Sequence, residues 1–341
     1  MRFDPDAAAQ PGTGIFGLPF TRDEAKVVLL PVPFDATTSY RPGTADGPGA
    51  ILEASMQVDL FDRRFGRTYE KGIFLERESK KVRALGREAR RLAKGVIEAG
   101  GVTEGEKPPK KLAKALADVN AACVKANDYV YAQVSDMLEE GKVPGLIGGE
   151  HSVPFGAIEA VADHHEEIGI LHLDAHLDMR KAFEGFTWSH ASIMHNVLTR
   201  IEGVRKLVSF GIRDFGEREM QFADEQGARV KVFYDDAVSE QLAGGAKFRD
   251  LAAQAVEELP SHVYVSFDID ALDPSLCPHT GTPVPGGLSF NQAVLILDTL
   301  RKSGRTVVGF DLVEVAPGSK NEPEWDANVG ARVLYKLCGL A

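Results

Sequence analysis

The sequence is poor in cysteine, in long apolar runs and in basic excess, and each shortage excludes something. Its three cysteines, Cys123, Cys277 and Cys338, stand far apart with no C-x-x-C pair. That argues against a disulfide framework or a thiolate zinc site and reads as reduced thiols in a cytoplasmic protein. No stretch approaches the roughly 20 apolar residues that cross a bilayer, so no membrane association is expected. Residues 1–12 lack the basic and apolar pattern of a secretory leader. Lysine and arginine number 39 against 50 aspartates and glutamates, so the basic surface that holds nucleic acid is missing. There is no P-loop and no internal repeat. Residues 12–17 match G-x-G-x-x-G but follow a polar tail instead of a strand, and without that strand the motif does not bind a dinucleotide. They read as a flexible lead-in.

What is present suits one large α/β unit. Hydrophobic residues make up 44% of 341 positions, enough for a sizeable core. Short apolar runs at 26–31, 144–147, 168–173, 262–267 and 306–312 have the continuous character of buried parallel strands. Helix-like segments at 112–139, 153–164, 245–258 and 290–302 alternate with them. That alternation predicts a doubly wound, mainly parallel sheet. The expected organisation is an N-terminal segment, 1–25, followed by a single catalytic domain, 26–341. Residues 76–111, a basic helix-like run and a glycine-rich loop, read as a solvated helix with a surface connection. Their functional alternative is an insertion that shapes a pocket entrance or an oligomer contact.

Chemistry gathers where the apolar runs end, which is where open α/β sheets bind ligands. One run leads into Gly148-Gly149-Glu150-His151, the next into Asp174-Ala175-His176-Leu177-Asp178, another into Asp268-Ile269-Asp270, and the last into Asp311 and Glu314. In extended chain, residues two apart share a face, so Asp174, His176 and Asp178 start on one side, as do Asp268 and Asp270. So many carboxylates at one sheet edge raise each other's pKa steeply unless cations neutralise them. With His151, the set offers four aspartates and two histidines, which suits two metals about 3.5–4 Å apart. Oxygen-rich ligation fits manganese, and nickel, iron and cobalt accept the same ligand types.

These residues resemble the ureohydrolase family of arginases and agmatinases. The carrying motifs are Gly148–Ser152, Asp174–Asp178, Ser189-His190-Ala191, Ser266–Pro274, Thr280–Pro283 and Val313–Pro317, with an agmatinase-type entrance segment from Pro33 to Thr44. The resemblance implies a three-layer arginase/deacetylase-like fold and two Mn2+ ions per chain, with Ni2+ as the alternative. It places His151, Asp174, Asp178 and Asp268 on one metal and Asp174, His176, Asp268 and Asp270 on the other. Glu314 would pair with a guanidinium, His190 would transfer a proton, and Asp178 would help protonate the leaving amine. Arg180, His190, Glu314 and Thr282 would contact the substrate. A homo-oligomer, trimer or hexamer, is implied as well.

Departures from the family pattern concentrate on the substrate tail. Glu150 stands where aspartate is usual, and His279 where a small residue is usual. Arg180 would repel an ammonium and attract a carboxylate, unless Glu184 neutralises it. The expected activity is therefore release of urea and an amine from a guanidino compound, nominally agmatinase-like. A guanidino acid, formimidoylglutamate or free or substituted guanidine is the alternative substrate. A single-zinc deacetylase and a non-catalytic partner subunit are the competing classes.

Overall fold

In the computed structural model, residues 3–10, 12–319 and 324–341 are described. Eight strands form one sheet: β1 (Val27–Val32), β2 (Ile73–Leu75), β3 (Val143–Gly148), β4 (Ile168–Leu173), β5 (Val204–Ile212), β6 (Val230–Tyr234), β7 (His262–Asp268) and β8 (Thr306–Val313). Their order is β2-β1-β3-β8-β7-β4-β5-β6, and every neighbouring pair is parallel. Ten helices accompany them: α1 (Gly47–Ser55), α2 (Lys80–Ile97), α3 (Lys110–Glu139), α4 (Phe155–His165), α5 (Ile193–Arg200), α6 (Glu217–Glu225), α7 (Asp235–Ala243), α8 (Phe248–Glu257), α9 (Phe290–Lys302) and α10 (Asp326–Cys338).

The period of two explains the three layers. Along β1, Val27 and Leu29 join one buried cluster and Val28 and Leu30 the other. Strand β7 divides likewise, with Val263, Val265 and Phe267 on one side and Tyr264 on the other. The first cluster is closed by α8, α9 and α10, the second by α2, α3, α4 and α5. Both faces being buried, the central strands read as continuous apolar runs. Helix α9 has the bounds its sequence predicts because its start is written locally. Ser289 accepts from the Gln292 amide, and the Gln292 side chain returns to the Ser289 amide, a reciprocal cap.

Two expectations need correction. Residues 14–18 are not flexible: Ile15, Phe16 and Leu18 are buried, the Phe16 amide donates to Ser55 Oγ at 3.0 Å, and its ring meets Tyr335 edge-on at 4.9 Å. Of the N-terminal segment, residues 1, 2 and 11 lie outside the described residues. Strands β2, β5 and β6 are additional to the expected runs. Strand β6 is half-exposed with Lys231 outward, β5 opens on Arg205 and Lys206, and β2 has three residues, so none presents a long apolar run.

Candidate metal centre

Strands β3, β8, β7 and β4 are consecutive neighbours at the middle of the sheet, and the polar clusters lie just beyond their ends. After β3 the chain turns at Gly149, where a Cβ would sit 2.1 Å from the Phe34 carbonyl oxygen; only glycine fits there. After β4 the regular strand stops at Leu173, so the alternation argument covers only the start of 174–178. His176 is bridged to Asp214, and Asp178 turns back with φ 52°. Asp268 closes β7, and Asp270 sits in the short turn Ile269–Ala271, whose first amide bond runs from Asp270 N to Asp268 Oδ1 at 2.8 Å.

All six residues singled out as ligands converge. His151 Nδ1 lies 2.9 Å from Asp174 Oδ2, 3.2 Å from Asp178 Oδ2 and 3.3 Å from Asp268 Oδ2. His176 Nδ1 lies 3.1 Å from Asp270 Oδ2 and 3.4 Å from Asp174 Oδ1. The two oxygens of Asp174 thus face two different groups. His151 Nδ1 is ringed by oxygens yet has no satisfactory hydrogen-bond partner. Burial first, then Asp270 and Asp174, pushes Asp268 well above the ordinary carboxylate range; burial and Asp174 also raise Asp178. An orphaned imidazole nitrogen among crowded carboxylates is a donor set that fits divalent cations.

Behind this cluster stands a layer that sequence reasoning missed. His151 Nε2 meets Ser266 Oγ at 2.9 Å, and Ser266 Oγ donates to Asp311 Oδ1 at 3.1 Å. His172 meets Asp174 Oδ2 through Nε2 at 2.8 Å and Ser209 Oγ through Nδ1 at 3.1 Å. Cys277 is buried with Sγ directed at the Ile269 carbonyl, and burial raises its thiol pKa, which leaves it a poor nucleophile.

Glu314 is buried beside the cluster at φ 60°. Its Oε1 accepts from the His151 amide at 2.8 Å, while Oε2 has no partner. Thr280 Oγ1 donates to the Glu314 carbonyl at 2.9 Å. Burial, then Glu150, raises the Glu314 pKa. His190 is buried, its ring 6.1 Å from that of Phe183, and burial followed by His176 and His151 pushes its pKa down to about 3. Thr282 is half-buried next to Gly281, where a Cβ would lie 3.4 Å from Glu314 Oε2. His279 is held by Asp326, which accepts from both its amide and Nδ1 at 2.8 Å.

Arg180 corrects an expectation. Its partner is Glu219, at 3.2 Å, and its guanidinium lies over the Phe183 ring at 4.9 Å. Glu184 engages through its backbone carbonyl, which accepts from Val102 N at 3.1 Å, while its Oε2 has no hydrogen-bond partner. Glu219 also accepts from Met179 N at 3.0 Å and Gly216 N at 2.8 Å. A cavity of about 1260 Å3 is lined by Met179, Arg180, Glu184 and Glu219 with Val102 and Glu104 among others; the cluster residues themselves do not line it.

The same chain-wide pattern is found elsewhere. The model of the arginase family matches residues 25–339. This chain belongs to the arginase family. An N(1)-aminopropylagmatine ureohydrolase of Thermus thermophilus is 32% identical, over 93% of this chain and 91% of that one. An agmatinase of Bacillus anthracis is 31% identical over 86% and 85%. Among solved structures, the proclavaminate amidino hydrolase of Streptomyces clavuligerus shares the fold at a TM-score of 0.75 and 24% identity, covering 98% of both chains. The arginase-family fold thus accounts for the single parallel sheet.

Proposed function

We propose that this arginase-family chain hydrolyses a substituted guanidine carrying an aminoalkyl tail. The observation that carries the reading is the unpartnered Oε2 of Glu314, buried at the edge of the cluster. A planar guanidinium supplies the N–H donors such an oxygen lacks. The agmatinase and N(1)-aminopropylagmatine ureohydrolase relatives support the same class. His151, Asp174, Asp178 and Asp268 would hold one cation, and Asp174, His176, Asp268 and Asp270 the other. Bound there, two divalent cations supply a water acidic enough to act at neutral pH.

The chain's own residues do the rest. Glu314 fixes the guanidinium plane, with Thr282 beside it. His190, buried and neutral, would relay a proton to the departing nitrogen, with Asp178 as the second proton-handling group. In balance, R–NH–C(NH2)2+ and water give urea and R–NH3+; the bond to the substituted nitrogen breaks.

The tail follows from charge. Arg180 is neutralised by Glu219, so it no longer argues for an anionic tail. Glu104, Glu184, Glu217 and Glu219 outnumber Arg180, Lys181 and Arg218 around the cavity, which favours a cation. Manganese, a trimer or hexamer and a cytoplasmic location are finer parts of this reading; bound-metal analysis and solution mass test the first two. A urea-release screen with Mn and with Ni across agmatine, aminopropylagmatine, guanidinobutyrate, arginine, guanidine and formimidoylglutamate is the direct experiment. Cationic tails should be preferred, and Glu219→Gln, by freeing Arg180, should raise their KM several-fold, about 1 kcal/mol. Preference for anionic tails would overturn the tail assignment, and no turnover of any guanidine would favour a non-catalytic partner.

A further inference from the structure

Helix α2 buries a stripe of small and apolar residues, Val82, Gly86, Ala89, Ala93 and Val96. At Gly86 a Cβ would stand 3.2 Å from the Phe34 ring and 3.3 Å from the Pro33 carbonyl oxygen, so the helix lies directly on the entrance segment. One turn further on, Arg90 donates to the Thr38 carbonyl, and to that of Ala36 at 3.4 Å. Between those two carbonyls sits Thr37. Its hydroxyl donates to Glu150 Oε1 at 2.9 Å and accepts from the His190 amide at 3.1 Å. Glu150 is fully buried and also accepts from Thr37 N at 2.8 Å, Thr38 Oγ1 at 3.3 Å and Ser152 Oγ at 2.7 Å.

We propose that Arg90, Thr37 and Glu150 form a brace that positions His190, and that helix α2 acts on catalysis through it. The three are positioning residues, and each fixes the next. Arg90 holds the two carbonyls that flank Thr37, Glu150 orients the Thr37 hydroxyl, and that hydroxyl supplies the hydrogen bond to His190. The longer side chain of glutamate at 150 reaches both Thr37 and Thr38, which ties the entrance segment to the end of β3. The inference rests on the proton-transfer role given above to His190.

The test compares Thr37→Val, which keeps the shape but loses donor and acceptor, with Thr37→Ser and Arg90→Gln. Thr37→Val and Arg90→Gln should lower kcat roughly 10- to 100-fold, with KM within about twofold of the parent and metal content unchanged; Thr37→Ser should recover most of kcat. In a His190→Asn background, Thr37→Val should cost nothing further, since the two act as one unit. Deuterium uptake over residues 187–192 should rise in Thr37→Val and Arg90→Gln. An unchanged kcat in Thr37→Val, or the same loss with and without His190, overturns the positioning role. If the parent chain turns over no guanidine, the functional reading fails on its own account, and the exchange measurement still decides the brace; unchanged uptake sinks it.

Discussion

His151 can offer Nδ1 to a cation only if its proton stays on Nε2, and Ser266 and Asp311 provide for that. Asp311 is buried, and burial pushes its pKa up to about 6. Its Oδ1 receives the Ser266 hydroxyl and the Phe267 amide at 3.2 Å. Such partners hold an imidazole in its ligating tautomer and orientation. Ser266→Ala or Asp311→Asn should weaken divalent-metal binding about 10- to 100-fold with the fold intact; calorimetry on the metal-stripped protein would read it, and an unaltered affinity would refute it. The aspartates of the cluster were legible because they follow apolar runs at strand ends. The pairing of Ser266 with Asp311 was not, because each is a lone polar residue inside an apolar run. They become partners only through the β7–β8 register, which sets Ser266 opposite Asp311. The partner of Arg180 was hidden similarly: Glu184 is near in sequence, but Glu219 arrives from α6.

Among the elements, α9 shows how local signals become tertiary ones. Its cap is written in four residues, but its docking depends on Asp298, a buried carboxylate meeting Lys302 at 2.6 Å, Arg301 at 2.8 Å and the distant Arg64 at 3.2 Å. Burial alone would raise the Asp298 pKa; hydrogen bonds from Lys302 and Arg301 outweigh it and hold the group below the ordinary aspartate range. A depressed folded-state pKa adds stability above the unfolded value and loses it as pH falls through the folded one. Asp298→Asn should therefore cost ~1 kcal/mol at neutral pH, and the deficit in urea denaturation should shrink below about pH 3.8. A deficit independent of pH would mean that packing, not charge, is what the carboxylate contributes. Half of the helices (α2, α3, α4, α8 and α9) and the central strands could be read from the sequence pattern. Strand β6 could not, since an edge strand with exposed positions looks like a loop until its neighbour is known, nor could β5, whose run is broken by Arg205 and Lys206 at its start. Helix α2 was visible as a helix, but the reach of Arg90 to the entrance segment belongs to packing, not to pattern.

For the whole molecule, the core and the metal cluster are separable sources of stability. Two apolar layers hold the sheet on both faces, whereas the cluster places unlike burial demands on four aspartates at once. Adding Mn2+ to the stripped chain should raise Tm, the added stability being about 2.7 kcal/mol per site when free metal is a hundred times its Kd. Calorimetry with and without chelator would measure it, and circular dichroism should show the same helix content in both states. Equal Tm values would exclude a linked metal centre. The order in which the sheet is built has its own consequence. Strand β8 follows the other seven along the chain, yet it lies between β3 and β7, with Gly145 pairing to Phe310 and Ser266 to Asp311. While a ribosome is still extending the chain, His151 and the Asp268–Asp270 pair belong to two half-sheets with a gap where β8 will go. The cation set built on Asp174, His176, Asp268 and Asp270 needs only β4 and β7, which pair directly, whereas the set that includes His151 is complete only once β8 fills the gap, so the two cations should be captured in sequence.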